Sequence, residues 1–391
     1  MNVLCISPGF PPNFVNFALA LSRAGATVLG LGDVPWDELR PDLRDALAEY
    51  YYLPSLADYD AMLKATAHLI ARHGRIDRLE SHTEHWLEID ARLRDDFDIP
   101  GQRPADLAKN RHKLGMKRIF REQGIPCAEG IAADKPANVR AFAKAHGFPL
   151  ILKPDVGAGA AGAMRVANTS QLEAALDSLP EGYLVEAVLT GDLVSFDGLV
   201  DGEGRLLFFT SHEFSAGILE TVAEARPFHY HTVREVDPRL EALGRRVVAA
   251  FGIRERFFHV EFFRRAPGDY AALEVNVRPP GGPSIDLMNL SSDIDLFQAW
   301  ADLLVHGRWP WPWQRLYHAA WVGRRRGVPY AFSDLQLRER HGALLVDTVE
   351  QPEAFAAVMG NWGYLLRHPE LARLQEAIAD VEAVADARTA T

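Results

Sequence analysis

Leu273-Glu274-Val275-Asn276-Val277-Arg278-Pro279 decides the fold of this chain, read together with His259-Val260-Glu261-Phe262-Phe263 just upstream. Successive side chains of a strand point to opposite faces, so Glu274 and Asn276 share one face and Leu273, Val275 and Val277 the other. The turn Pro267-Gly268-Asp269 separates two apolar runs, 257–264 and 270–276, and predicts a hairpin in which Glu261 faces the Glu274–Asn276 pair. Three oxygen donors on one sheet face suit Mg²⁺, which takes one or two carboxylates and completes its shell with water and phosphate oxygens. Arg278 keeps the same parity and is placed to neutralise an oxyanion or a phosphate. A merely polar edge sheet would also show Glu and Asn on one face. The apolar opposite face supplies a core and argues against that reading.

Working back toward the N-terminus, residues 148–154 form an apolar run ending in Lys153, which predicts a buried strand. The stretch Gly157-Ala158-Gly159-Ala160-Ala161-Gly162 follows, then a returning strand at 164–167. Such a flap leaves backbone amides free for phosphates, although it lacks the Walker order. A flexible hairpin with a solvated lysine has the same letters. Lys113 lies in a predicted helix, 110–123, that Gly124-Ile125-Pro126 stops. Only seven lysines serve the chain, so each invites scrutiny, yet a solvated helix lysine fits Lys113 equally. Glu186 closes an apolar strand before Ala187-Val188-Leu189. A carboxylate beside such a hinge accepts from an adenine amino group or a ribose hydroxyl, or is simply an exposed strand end.

The chain has 391 residues, a length that predicts two or more domains. With 48% hydrophobic and 24% charged residues it is globular. A net charge of −11 argues against nucleic-acid binding. Cys5 and Cys127 are the only cysteines, one in an apolar run and one beside a proline, which argues against a disulfide framework or a thiolate metal site. The opening Met1-Asn2-Val3-Leu4-Cys5-Ile6 has no basic region and breaks at Ser7-Pro8-Gly9, unlike a signal peptide. No run approaches the roughly 20 apolar residues of a membrane span. The expectation is a cytoplasmic protein. Residues 1–108 predict an open α/β domain, 109–188 a small α+β unit, 189–310 a larger one with the metal strands, and 311–391 a C-terminal α/β segment. Ser7 to Pro12 has one glycine where a dinucleotide binder carries three, which excludes that reading.

In the order Lys113, Lys153 with its flap, Glu186 with its hinge, then Glu261, Glu274, Asn276 and Arg278, the sequence resembles the ATP-grasp superfamily. Within it the likeness is to the carboxylate–amine ligases that include the L-amino-acid (dipeptide) ligases, over residues 1–310. The resemblance implies an α/β ATP-grasp fold with an N-terminal pre-ATP-grasp domain and a lid-like C-terminal segment. ATP would lie against Glu186, Ala187, Val188 and Leu189, with Lys113 and Lys153 on its phosphates. Gly157, Gly159, Ala160 and Gly162 would close over them. Two Mg²⁺, or Mn²⁺ in their place, would sit on Glu261, Glu274 and Asn276. Lys153 and Arg278 would be catalytic, Arg278 on the oxyanion formed when an amine attacks an acyl phosphate. His212, Glu220, His229, Gly281 and Gly282 would contact the small carboxylate and amine substrates, and relatives of this kind are often homodimers.

The chain departs from the pattern twice. Ala160 stands where the flap usually carries a hydroxyl, and Leu193 where a ribose-binding glutamate is common, with Asp192 on the wrong strand parity. His229 and His231 are either a metal pair or a polar loop, and no third ligand is evident. The competing functions are a purine-pathway enzyme activating formate or bicarbonate, and an ATP-binding protein without turnover. Tiny substrates want a small closed pocket, whereas the histidine-rich middle segment and the C-terminal tail suggest a roomier one. The triplet Arg324-Arg325-Arg326 is expected on a solvated surface.

Overall fold

Short apolar runs alternating with amphipathic helices give the N-terminal segment a parallel sheet. β1 (Asn2–Ile6), β2 (Thr27–Gly32), β3 (Glu49–Tyr52) and β4 (Arg78–Glu80) pair in the order β3-β2-β1-β4. The helix Tyr59–His73 shows the local logic. Asp58 caps its first turn by accepting from Ala61 N, and Gly74 ends it. Its Met62, Ala65 and Leu69 pack on Leu4, Leu29 and Leu79 of the sheet. The computed structural model describes residues 1–157, 162–217, 221 and 227–385. One unit comprises Met1–Lys109, Asp201–Glu203 and Ile294–Pro312. The helix Leu296–His306, read from sequence within 189–310, packs in this unit through Phe297 and Trp300 against Phe17. Among the described residues no helix is long and apolar enough to cross a membrane.

The second unit comprises Asn110–Val200, Gly204–Asp293 and Trp313–Thr391. Its smaller sheet is antiparallel, with β5 (Gly130–Ala132), β6 (Leu150–Pro154), β7 (Met164–Val166) and β8 (Tyr183–Ala187) in the order β5-β8-β6-β7. Leu150, Leu152, Val166 and Val185 face the helices Pro136–His146 and Thr169–Leu176. Alternation therefore turns Lys153 and Glu186 to the other face.

The larger sheet holds β9 (Asp192–Val200), β10 (Leu206–Thr210), β11 (His212–Phe214), β12 (His229–Thr232), β13 (Arg256–Ala266), β14 (Asp269–Asn276), β15 (His318–Arg324), β16 (Leu345–Glu350) and β17 (Trp362–His368). The path runs β14-β13-β9-β11-β12-β15-β17-β16, with β10 on β9. Residues 311–391 thus extend the same sheet as the predicted metal strands. Val194, Phe196, Val260, Phe262 and Val275 bury one face against the helix Pro238–Phe251 and against Met116 and Phe120 of the helix Lys113–Glu122. Leu273, expected on that core face, is instead the extra residue of a bulge between Glu261 and Phe262, and is half-buried.

Two local expectations are corrected. The helix read over 110–123 is two helices, Pro104–Arg111 and Lys113–Glu122, because His112 is extended. Asp155 stabilises the second start, its carboxylate accepting from Leu114 N at 2.8 Å and its carbonyl from Lys113 N at 2.9 Å. Arg324 is not on the surface but 2% exposed. Its guanidinium donates to Val381 O at 2.8 Å and Phe332 O at 2.9 Å, and stacks on Tyr330.

Candidate functional site

The helix Lys113–Glu122 buries Lys113, Met116, Lys117 and Phe120, the stripe of one helical face. Lys113 and Lys117 are therefore one turn apart on the side turned into the protein. Lys113 Nζ donates to Gly157 O at 2.6 Å and stands 3.8 Å from Glu274 Oε2. Lys117 Nζ donates to Ala128 O at 3.0 Å and pairs with Glu186 Oε2 at 2.7 Å. Lys153 Nζ pairs with the other oxygen, Glu186 Oε1, at 2.5 Å. Burial by itself would raise the Glu186 carboxyl, but Lys153 and then Lys117 hold it below the usual carboxylate range. Sequence reasoning missed Lys117. Its position four residues after Lys113, on the same helix face, was the available signal.

On the larger sheet, register places Glu261 opposite Glu274 and His259 opposite Asn276. β9 lies on the other side of β13, with Ser195 opposite Glu261 and Asp197 opposite His259. One face thus carries Ser195, Asp197, His259, Glu261, Glu274 and Asn276. Asp197 is fully buried. Its Oδ1 accepts from His259 Nδ1 at 2.5 Å and its Oδ2 from His212 Nδ1 at 2.7 Å and from Ser195 Oγ. The second nitrogen of His259 reaches Glu261 Oε1 at 3.0 Å. Burial would lower the imidazole, yet Asp197 and Glu261 outweigh it and raise it to about 10. Asp197 and Glu261 are held low despite burial, chiefly by His259.

Glu274 goes the other way. Burial and the facing Glu261 raise it, with Lys113, Lys153 and Arg278 offsetting only part of that. Two opposed carboxylates, one of them costly to ionise, beside the amide of Asn276 form a hard oxygen donor set that a divalent cation would satisfy. Among the described residues no three of His, Cys, Asp or Glu gather to hold a metal. The set is two glutamates and an amide. Arg278, just past β14, donates to Pro279 O at 2.8 Å and its charge acts on both glutamates.

The remaining expected residues are placed less uniformly. Ala187 ends β8 and its N–H donates to Glu129 O at 2.9 Å, with Val188 and Leu189 half-buried between strands. Gly157 and Gly162 bracket the flap; Gly159, Ala160 and Glu220 lie outside the described residues. Leu193 is buried, and Asp192 is paired with Arg264 at 3.0 Å. His212 joins the Asp197 network, but His229 does not. Because His212 pairs with Thr232, His229 and His231 fall on the opposite sheet face. There His229 binds Glu382 at 2.7 Å, and burial pushes His231 down to about 4. Gly281 O accepts from Ser284 Oγ at 2.7 Å at the start of the helix Ser284–Ser292.

Gly282 has φ +60, and a Cβ there would lie 2.7 Å from Met359 Cε and 3.1 Å from Tyr230 Oη. Met359 is flexible, so the backbone conformation dominates. Gly282→Ala is expected to lose about 1–2 kcal/mol in denaturant unfolding.

Residues 146–286 match the ATP-grasp domain. The L-arginine-specific L-amino acid ligase of Bacillus subtilis is 22% identical over 270 residues, 66% of this chain and 65% of that protein. The formate-dependent phosphoribosylglycinamide formyltransferase of Azotobacter vinelandii is 36% identical over 85 residues, 22% of this chain and 21% of that protein. Both matches span less than two thirds of the relative's own length. The crystal structure of the L-amino acid ligase from Bacillus licheniformis superposes with a TM-score of 0.76 at 16% identity, covering 97% of this chain and 96% of that one. The chain has the ATP-grasp fold and carries an ATP-grasp domain at residues 146–286.

Proposed function

We propose that the chain is an ATP-dependent ligase that joins a small-molecule carboxylate to an amine through an acyl phosphate, releasing ADP and phosphate. The observation that carries this is the single sheet face on which Glu261 and Glu274 oppose each other beside Asn276, with Lys113 3.8 Å from Glu274. Lys113 and Lys153 bind and orient the ATP phosphates, exchanging protein acceptors for phosphate oxygens. Glu186 holds Lys153 in place until then. The substrate carboxylate oxygen attacks the γ-phosphorus as the bond to ADP breaks, and the lysines offset the charge that builds on the transferred group. The amine nitrogen then attacks the carbonyl carbon, phosphate departs, and the surplus proton leaves the nitrogen. Arg278 stabilises the oxyanion of that second step. Glu261, Glu274 and Asn276 would hold Mg²⁺, which supplies charge neutralisation on the phosphoryl group when bound.

The partial match to a formate-dependent enzyme favours a second reading, activation of formate. ADP formation measured across single and paired amino acids, with formate and bicarbonate in parallel, separates the two. A condensed product that needs both members of a pair supports the ligase. ADP release that needs only formate or bicarbonate supports the second reading. Arg278→Ala is expected to lower kcat by about 10²–10³-fold while ADP affinity stays the same. Steady-state kinetics alongside calorimetric titration would check both halves.

A further inference from the structure

We propose that Asp197 and His259 are positioning residues for the cation site: the pair fixes the carboxylate of Glu261 so that its second oxygen faces the ion. This rests on the assignment of Glu261 as a metal ligand. Three observations converge on it. His259 lies two residues before Glu261 on the same strand face, so the two side chains run alongside each other. Its ring bridges the two carboxylates, 2.5 Å to Asp197 Oδ1 and 3.0 Å to Glu261 Oε1, which fixes both its rotation and its tilt. Asp197 itself has no freedom to turn. Oδ2 is held by His212 Nδ1 and Ser195 Oγ, and the residue is fully buried in the middle of β9.

The consequence concerns which oxygen of Glu261 is available. Oε1 is taken by the imidazole, and Oε2 is the atom left to a cation. A free glutamate would spread its two oxygens over several rotamers and give up that freedom on binding. The anchored one is already ordered. Groups that orient a ligating side chain in this way typically govern metal affinity by about 10- to 100-fold. Glu274 instead has Lys113 Nζ 3.8 Å from its Oε2. The two glutamates therefore divide the task, one oriented in advance and the other completing the site.

The test is Mn²⁺ affinity of the protein–ADP complex, read by electron paramagnetic resonance, with no turnover required. His259→Asn keeps an amide donor for Asp197 but cannot reach Glu261, whereas His259→Gln can extend a donor toward Glu261. The expected result is Mn²⁺ binding weakened about 10- to 100-fold in His259→Asn and partly restored in His259→Gln. ADP affinity without metal and the melting temperature should stay near wild type in at least the Gln variant. Raising the metal concentration should recover kcat in His259→Asn, a split that general loss of structure would not give. Glu261→Gln is the reference. If Glu261→Gln weakens Mn²⁺ binding and neither His259 variant does, the positioning role is wrong and the metal site stands. If Glu261→Gln itself leaves Mn²⁺ binding unchanged, the metal site falls and the positioning role with it.

Discussion

Glu274→Gln is expected to cut ATP-dependent turnover by at least about 10²–10³-fold, the scale of losing one electrostatic support of a transition state. In chelator it should melt no lower than wild type. The two halves have the same origin. Glu274 is a half-buried carboxylate facing Glu261, and its pKa is raised above the ordinary 4.5 by loss of water first and then by that neighbour. A raised folded value means that the native state holds the proton more tightly than the unfolded chain does. The stability this group confers is fully present below the unfolded value and is lost as pH rises through the folded one. At neutral pH the ionised group is a liability to the metal-free protein, and a neutral isostere removes it. Any gain in melting temperature should therefore be largest at neutral pH and shrink toward pH 4, followed by calorimetry. A variant that loses both activity and stability at neutral pH would contradict this account of the site.

The second large effect is on stability. Lys117→Met is expected to cost about 3–5 kcal/mol in urea unfolding, the usual result of stripping one partner from a buried charge. Lys117 is 1% exposed and Glu186 4%. Without Lys117, Glu186 Oε2 loses the ion pair at 2.7 Å, while Lys153 still occupies Oε1. Neutralising the stranded carboxylate should repair most of the damage, so the double variant Lys117→Met/Glu186→Gln is expected to be more stable than Lys117→Met alone. Lys153→Met should be milder in stability, because that side chain is partly open to water, but it should raise the KM for ATP. Equal stability of the single and double Lys117 variants would mean that Glu186 is not held as a charge.

Much of this architecture was legible in the sequence, for physical reasons that particular residues make plain. The hairpin 257–276 declared itself because period-2 apolar residues flank a Pro-Gly-Asp turn, and parity alone then put Glu274 with Asn276. The helix Pro238–Phe251 has its ends written locally in the same way, with Asp237 before Pro238 and Gly252 after Phe251. What escaped needed register between strands distant in sequence. Ser195 and Asp197 stand two apart in β9, so parity puts them on one face, but nothing local says that His259 will lie opposite Asp197. The resemblance puts His229 with His212 at the substrate, and the pairing of His212 with Thr232 separates them. Arg324 belongs to an arginine triplet that reads as solvated surface, but the carbonyls of Phe332 and Val381 and the ring of Tyr330 make a buried guanidinium tolerable. The bulge that displaced Leu273 follows from pairing geometry that no single strand encodes.

The most direct test of the central claim follows oxygen rather than rate. Amino acids labelled with oxygen-18 in the carboxylate would be incubated with Mg²⁺-ATP and unlabelled amine acceptors, and the products weighed by mass spectrometry. An acyl-phosphate ligase must deliver one labelled oxygen to inorganic phosphate for each amide formed, with ADP as the only nucleotide product. Amide formed with unlabelled phosphate, or with the label in AMP, would contradict the account.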